Sequence, residues 1–500
     1  MLPRSLRLSF AVLIVVLSPA LLTAAQTATP VPDAPPAIAA AVNLPPIVHA
    51  SISPRRVVYL DAAPTAGVQV MIDATKSEDP EGQPLEYAHD VNGDGAFTPW
   101  FFRAEASEPV TMPGPFVATV RVRDPLGAAG EQQLQMLARQ FSRSHIRSTM
   151  NMSVPAFGLV TGRPAFVYED ENKNLVLTGN DLADGSGRWT TVTVKPVNAV
   201  KEFLGVDEYK WGTSCQMADI WGVALLCTFR LENGSFMLRY LVSDDAWSGR
   251  WTDWEVVQLR GEPAATLGQI ANFPAVLYFN NGALALLAGT GSDQPDAVML
   301  GSGFELIWSG DVGAAPPATH SAVVGVGDAL ALPAFAYLNA AKAQLIYAVN
   351  QQADGRGKWD FIPVEMQTGD TGRPALAMIA GRPAIAYRDG AKGHLKLAVN
   401  DSADGRGKWQ VTVVYQGTPD GPRTQSLAAI DGRAGIAFED ATRGLLFAYD
   451  PGLSTGNYWP VAMVDRLRHP TLRRNPVLIA IDGRPAIGYG PFSIQFATAR

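Results

Sequence analysis

The chain has 500 residues, enough for two or three domains; 17% are charged, while glycine (47) and proline (37) are abundant. That balance favours short strands and many turns over long solvated helices. The net charge of -7, with lysines and arginines scattered and no basic stripe, excludes a nucleic-acid surface, which needs clustered cations to displace counterions.

Residues 1–25 read as an export signal. Arg4 and Arg7 precede an apolar run over 8–22, interrupted by Pro19, and Thr23-Ala24-Ala25 supplies small residues for cleavage after Ala25. The unbroken apolar run is shorter than a membrane span, and no later segment is long and apolar enough to cross a bilayer. A secreted, soluble mature chain is therefore expected. Residues 26–45, rich in Ala, Pro and Thr, read as an extended linker.

From 46 to 139 the texture changes to short alternating apolar runs, with strands expected at 68–72 and 118–122. Between them stand Asp73-Ala-Thr-Lys-Ser77-Glu-Asp79-Pro80-Glu-Gly82-Gln-Pro84-Leu85-Glu-Tyr87 and Asp90-Val-Asn92-Gly-Asp94-Gly95. This order of motifs resembles a PKD domain, which implies an immunoglobulin-like β-sandwich of a kind common in secreted bacterial proteins. One departure is His89, where that family usually carries Trp. Trp100 or Phe97 is the expected replacement in the core.

Asp90, Asn92 and Asp94 before Gly95 also have the spacing of the first half of a calcium loop, in which alternate oxygens converge on the ion. Position twelve of such a loop, where a glutamate belongs, is Phe101. The expectation is a polar turn, with calcium held by part of the loop as the alternative. No other cofactor is expected.

Residues 140–500 are a repeat array. The stretch 400–409, Asn-Asp-Ser-Ala-Asp-Gly-Arg-Gly-Lys-Trp, recurs nearly verbatim at 350–359 and with a few changes at 180–189; weaker copies end at Trp251 and Trp459. A complete unit has strands at 376–379, 383–387, 394–399 and 410–415, four per period of about fifty residues. Second strands of further units are expected at 164–168, 223–229, 274–279, 333–337, 434–438 and 485–489. Tandem four-stranded units imply a β-propeller, whose blades bury their faces on one another. The last unit stops after three strands, and a strand from 140–152 would complete it and close the ring. The all-β reading is thus a sandwich followed by a propeller of seven blades, with six and eight as the adjacent counts.

The repeated stretch resembles the Asp-box of sialidases and related propellers: Ser402, Asp404 and Trp409 match, although the glycine stands one place late at Gly407 and Lys408 replaces Thr. The resemblance implies a structural role, with Asp184, Asp354 and Asp404 closing the turn between third and fourth strands and Trp189, Trp359 and Trp409 packing between blades. Glycine's backbone freedom and the turn-capping habit of Asp are consistent with this. Cys215 and Cys227, the two cysteines of the chain, lie symmetrically about Trp221-Gly222. A hairpin there sets them face to face, either bridged or as buried thiols.

The opposite face collects the turns between second and third strands and the loops between blades. Glu169, Asp170, Arg388, Asp389, Glu439 and Asp440 reach it and are the candidate ligand-binding residues, with Asn280, Asn281 and Asn339 nearby. A sialidase would need an arginine triad, a Tyr–Glu nucleophile and an acid. Arg163, Arg382, Arg433 and Arg484 recur in first-to-second turns, on the wrong face for such a triad. The six histidines are dispersed without zinc-ligand spacing. The leading expectation is a secreted, non-catalytic binding or scaffold protein that engages glycan or protein at the cell surface or in the extracellular matrix. The alternatives are a glycoside hydrolase or polysaccharide lyase using carboxylates of the loop face, and a structural envelope component without ligand.

Overall fold

The structure is a computed structural model and describes residues 42–62, 67–148, 155–196, 209–219, 223–231, 236–243, 245–255, 275–280, 283–289, 295–300, 306–311, 318–326, 332–339, 343–352, 357–366, 368, 374–418, 421–422, 424–452, 459–466, 475–490 and 493–500. The expected export signal and nearly all of the linker lie outside these residues. Among the described residues no helix is long and apolar enough to cross a membrane.

Seven strands open the fold: β1 (Ser51–Ser53), β2 (Val57–Leu60), β3 (Val68–Asp73), β4 (Glu86–Asp90), β5 (Glu105–Val110), β6 (Gly114–Arg123) and β7 (Ala129–Ser148). One sheet has the order β1-β3-β5; the other runs β4-β6-β7, with β2 added parallel to β7. Strict alternation in β3 turns Val68, Val70 and Ile72 inward and leaves Gln69 and Met71 exposed. These residues meet Val58, Leu60, Val120, Val122 and Met136 in a single core between the sheets. Neither Phe97 nor Trp100 fills the place expected of it there. Both are half-buried, with Arg121 lying 4.0 Å over the Phe97 ring and Arg123 lying 4.4 Å over Trp100. His89 itself is fully buried, between Tyr87 and Phe101 at centroid distances of 6.3 and 6.0 Å. Its Nε2 has a partner in the Ala104 carbonyl at 3.2 Å, so the smaller polar ring is accommodated without a replacement indole.

The remaining strands form successive antiparallel sheets. The first has β8 (Ala156–Val160), β9 (Arg163–Glu169), β10 (Leu175–Asn180) and β11 (Trp189–Lys195). The second has β12 (Tyr209–Asp219), β13 (Val223–Leu231), β14 (Phe236–Ser243) and β15 (Thr252–Glu255). The third has β16 (Ala275–Asn280), β17 (Ala283–Gly289), β18 (Pro295–Leu300) and β19 (Leu306–Asp311). The fourth has β20 (Ala318–Val326), β21 (Leu332–Asn339), β22 (Gln344–Asn350) and β23 (Trp359–Glu365). The fifth has β24 (Ala375–Ile379), β25 (Arg382–Asp389), β26 (His394–Asn400) and β27 (Trp409–Tyr415). The sixth has β28 (Gln425–Ile430), β29 (Arg433–Asp440), β30 (Gly444–Tyr449) and β31 (Val461–Arg466). The last has β32 (Val477–Ile481), β33 (Arg484–Tyr489) and β34 (Ser493–Ala499), and takes its fourth strand from the second half of β7.

First strands of neighbouring sheets pack together, β16 on β20, β20 on β24, β24 on β28 and β28 on β32. β32 in turn packs on β8, and β8 on β12, so the last sheet meets the first. This is a β-propeller. Middle strands such as β10 and β30 are buried at every position, whereas the outer β11 is exposed or half-buried except at Val194. That is the pattern expected where each sheet is covered on both faces by its neighbours. One expected strand is displaced: 274–279 corresponds to β16, the first strand of the third sheet and not the second. The turn at Asn280 therefore joins first to second strands, on the face opposite to the one expected.

The two bodies are not joined by a loop. β7 is a single strand of 20 residues. Its first half pairs with β6 from Ala129 to Ala138, and its second half pairs with β34 from Phe141 to Ser148. A shared core covers this crossing. Tyr59 of β2 packs edge-on against Phe447 and Tyr449 at 5.1 and 5.0 Å, and Phe141 packs on Phe447 at 5.4 Å. The Met463 amide donates to Asp61 Oδ1 at 2.6 Å, and the Ala62 amide donates to the Met463 carbonyl at 2.9 Å. An ion pair from Arg143 to Asp465 adds to the seam.

Candidate functional face

The repeated turn is organised by its first residue. Asn400 is fully buried. Its Oδ1 accepts the amides of Ser402 at 2.9 Å and Gly407 at 3.1 Å, and its Nδ2 donates to the carbonyls of Gly405 at 3.0 Å and Gly407 at 3.1 Å. Asn180 repeats all four bonds, to Leu182, Gly187, Gly185 and again Gly187. Asn350 donates to Gly357 and accepts from Gln352, both at 2.9 Å. The sequence reading gave this role to the aspartates; the amide takes it because it alone both donates and accepts. Asp404 contributes at the rim, accepting from the Arg406 amide at 3.1 Å and the Ser402 hydroxyl at 2.8 Å. Asp184 accepts the Ser186 amide at 2.9 Å. Asp354 lies outside the described residues.

Two of the three tryptophans pack between sheets, and the third packs within its own. Trp409 lies 5.1 Å from Tyr347 of the preceding sheet, and Tyr347 Oη donates to the Asp404 carbonyl at 3.0 Å. Trp189 meets Phe496 of the last sheet at 5.4 Å, across the seam that closes the ring. Trp359 packs on Phe335 of its own sheet at 5.1 Å. At the two inter-sheet contacts a glycine with positive φ lies flat on the aromatic ring, Gly405 (φ 80°) on Tyr347 and Gly185 (φ 74°) on Phe496. A Cβ at either position would fall inside the ring's van der Waals envelope.

On the opposite face, the candidate ligand-binding acids close turns. Asp170 Oδ1 accepts the amides of Asn172 at 2.9 Å and Asn174 at 2.8 Å. Asp440 Oδ1 accepts the amides of Thr442 and Arg443, both at 2.9 Å, and the Thr442 hydroxyl at 2.6 Å, while Tyr415 Oη donates to its Oδ2 at 3.1 Å. Burial alone raises the Asp440 carboxyl, but these donors outweigh it and hold it below the usual carboxylate range. Glu169 and Glu439 are buried at the ends of β9 and β29, and Arg388 is half-buried next to Asp389. Tyr168, Tyr337, Tyr387 and Tyr489, near the ends of second strands, are core residues.

Asp389 belongs to a largely buried charged group. Lys396 Nζ lies 2.7 Å from Asp389 Oδ2 and 2.7 Å from Glu365 Oε1, and Tyr387 Oη donates to the other Glu365 oxygen. Burial lowers the Lys396 ammonium, but the two carboxylates outweigh it and hold it above the ordinary lysine value. Asp389 is correspondingly held low against its own burial. Burial first, then the bond and charge of Glu365, push the Tyr387 hydroxyl far up. Glu365 ends the outer strand of the fourth sheet, whereas Lys396 and Asp389 sit at the second-to-third turn of the fifth. Tyr415 with Asp440 repeats this arrangement one sheet on, and Arg147 with Glu171 repeats it between the last and first sheets at 3.4 Å. Sequence reading did not find these staples, because each joins residues from different repeats.

The Asp90 loop is a self-contained turn. Asp90 Oδ1 and Oδ2 accept the amides of Gly93 at 2.8 Å and Gly95 at 2.9 Å, and Asp94 Oδ1 accepts the Ala96 amide at 2.8 Å. Asn92 bonds to Asp94 through both its amide atoms at 3.0 Å. These oxygens are directed at backbone donors, the arrangement of a polar turn. Among the described residues no group of three or more His, Cys, Asp or Glu gathers as metal ligands do. Cys215 and Cys227 are register partners across β12 and β13, as the symmetry of the hairpin required.

No family model matches the chain, and no curated protein matches it. Solved structures with a similar course include the BP39L lectin from Burkholderia pseudomallei, with 13% identity, a TM-score of 0.47, and coverage of 70% of this chain and 91% of that one. A Hadza microbial sialidase aligns with 11% identity and a TM-score of 0.39, over 90% of this chain and 98% of its own. A GH43_1 enzyme from Xanthomonas citri aligns with 14% identity and a TM-score of 0.31, over 64% and 88%. At these identities and scores they carry no argument about ligand or chemistry.

Proposed function

We propose that the protein is an exported, non-catalytic binding or scaffold protein, in which a PKD-like sandwich and an Asp-box-like propeller engage glycan or protein at the cell surface or in the extracellular matrix. The observation that carries this reading is the state of the acids on the loop face. Asp170, Asp389 and Asp440 are all buried and bonded to turn amides or to Lys396. A general acid or base needs an accessible proton-transfer path to substrate, which such groups lack. The Tyr387–Glu365 pair has the composition of a glycosidase nucleophile, but Tyr387 has no solvent-exposed surface. A polar groove at the junction of sandwich and propeller offers space for a ligand, and among the described residues no carboxylate lines it.

Glycan-array and pull-down screens of the mature chain, run beside a panel of chromogenic glycosides and uronate polymers, test this reading. Binding without turnover is the expected outcome. Turnover that disappears in Asp389→Ala or Asp170→Ala, with folding preserved, would establish a hydrolase or lyase instead.

A further inference from the structure

A groove of about 760 Å³ opens beside the outer strand of the last sheet. That volume falls in the range of sites that take small organic ligands, about 300–1,000 Å³. Its polar lining includes Gln140, Ser142, His145, Ser148, Ser493 and Gln495. The register sets His145 opposite Gln495 and Ser148 opposite Ser493, with an irregularity between the two pairs that lets all four reach one groove. The imidazole is held from both sides. Ser493 Oγ and Gln495 Nε2 lie 3.0 and 2.8 Å from Nδ1, and Ser148 Oγ lies 3.3 Å from Nε2.

Charge is nearly absent from this lining. Arg143 also borders the groove, but its guanidinium is paired with Asp465. Among the described residues no carboxylate lines the groove to hold a cation. The serine, glutamine and histidine groups bond to one another but keep further donor and acceptor capacity, which an apolar ligand would not meet. Sugar hydroxyls, which donate and accept at once, match such groups one for one.

We infer that this groove is a binding site for an uncharged saccharide. The inference rests on the proposal that the protein engages glycan, and it names the place and the class. Ala62 and Gln140 come from the sandwich side of the junction and Ser493 and Gln495 from the last sheet, so the site exists only where the two bodies are joined.

The test uses the full mature chain, saturation-transfer NMR and calorimetric titration. The probes are neutral oligosaccharides (gluco- and N-acetylglucosamine oligomers) against uronate oligosaccharides, at low and high salt. A neutral probe is expected to bind with little salt dependence. His145→Ala and Gln495→Ala, with circular dichroism and melting unchanged, are each expected to weaken it about tenfold, the effect of one lost hydrogen bond. Where His145→Ala fails to fold, Ser148→Trp blocks the exposed wall in its place. A preference for uronates that fades with salt overturns the neutral assignment. Saccharide binding untouched in the folded variants overturns the groove and leaves the glycan reading standing. An array on which no glycan is retained overturns both.

Discussion

Gln140 and Arg500 exchange backbone hydrogen bonds of 3.0 and 3.1 Å, one in each direction, at the point where β7 leaves the sandwich and enters the propeller. The last sheet is thereby stitched to a strand whose other half belongs to a different body. A continuous strand of paired peptides cannot bend as a linker does, because rotation would break ladder bonds on both sides.

Sandwich and propeller should therefore unfold together. Tyr59 and Phe141 are both buried in the core that spans the junction. Phe141→Ala is expected to cost about 3–5 kcal/mol and to lower the melting of both bodies, followed in one calorimetric scan. Two separate transitions, with only one moved by the substitution, would contradict the shared core.

Within the repeated turn, the asparagine should matter more than the aspartate. Asn400→Ala strands two buried carbonyls and two amides, at about 1–3 kcal/mol for each group left unsatisfied. Asp404 sits at the rim and its partners can turn to water, so Asp404→Ala should cost about 1 kcal/mol or less. Urea midpoints of the two variants measure the difference, and equal losses would return the organising role to the aspartate.

Lys396 holds Asp389 and Glu365 together. Lys396→Met leaves two carboxylates facing one another without a cation, and a loss of about 3–5 kcal/mol is expected at neutral pH. Asp389 has a depressed pKa in the folded chain. Its contribution is therefore present above the unfolded carboxylate value and is lost as pH falls through the folded one. In the lysine variant that acid-side loss should shrink, a change that stability measured against pH records.

His89 gives the opposite kind of pH dependence. Burial lowers its pKa from 6.5, with the Ala104 carbonyl only partly restoring it. Below 6.5 the unfolded chain takes up a proton that the folded chain refuses, so stability is full above that value and declines as pH falls toward the folded pKa. His89→Leu should flatten this decline between neutral pH and about pH 5. A variant as acid-sensitive as the parent would place the effect elsewhere.

Particular residues show what was legible. The spacing of Asn400 to Trp409 and its copies located the turns, because a period survives in a linear string. The same counting found the strand at β16 but gave it the second place in its sheet when it is the first, since Asn280-Asn281-Gly282 reads equally well as either kind of turn. Asp170, Asp389 and Asp440 were recognisable as acids at strand ends. Their hydrogen bonds to nearby amides were not, because a turn's conformation decides whether a carboxylate faces inward or out.

The sequence by itself determined the all-β class, the sandwich ahead of the array, the four-stranded unit and the completion of the last sheet by a strand after 140. The sandwich came from the resemblance of its motifs to the PKD family; the rest follows from local alternation, turn chemistry and repetition, which depend only on near neighbours. Tertiary structure alone decided that β7 runs unbroken through both bodies, that Lys396 bridges two sheets, and that His145 meets Ser493 and Gln495. Those contacts join residues of different repeats or of the two ends of the array, and only the packing of neighbouring sheets and the β7–β34 pairing bring them together.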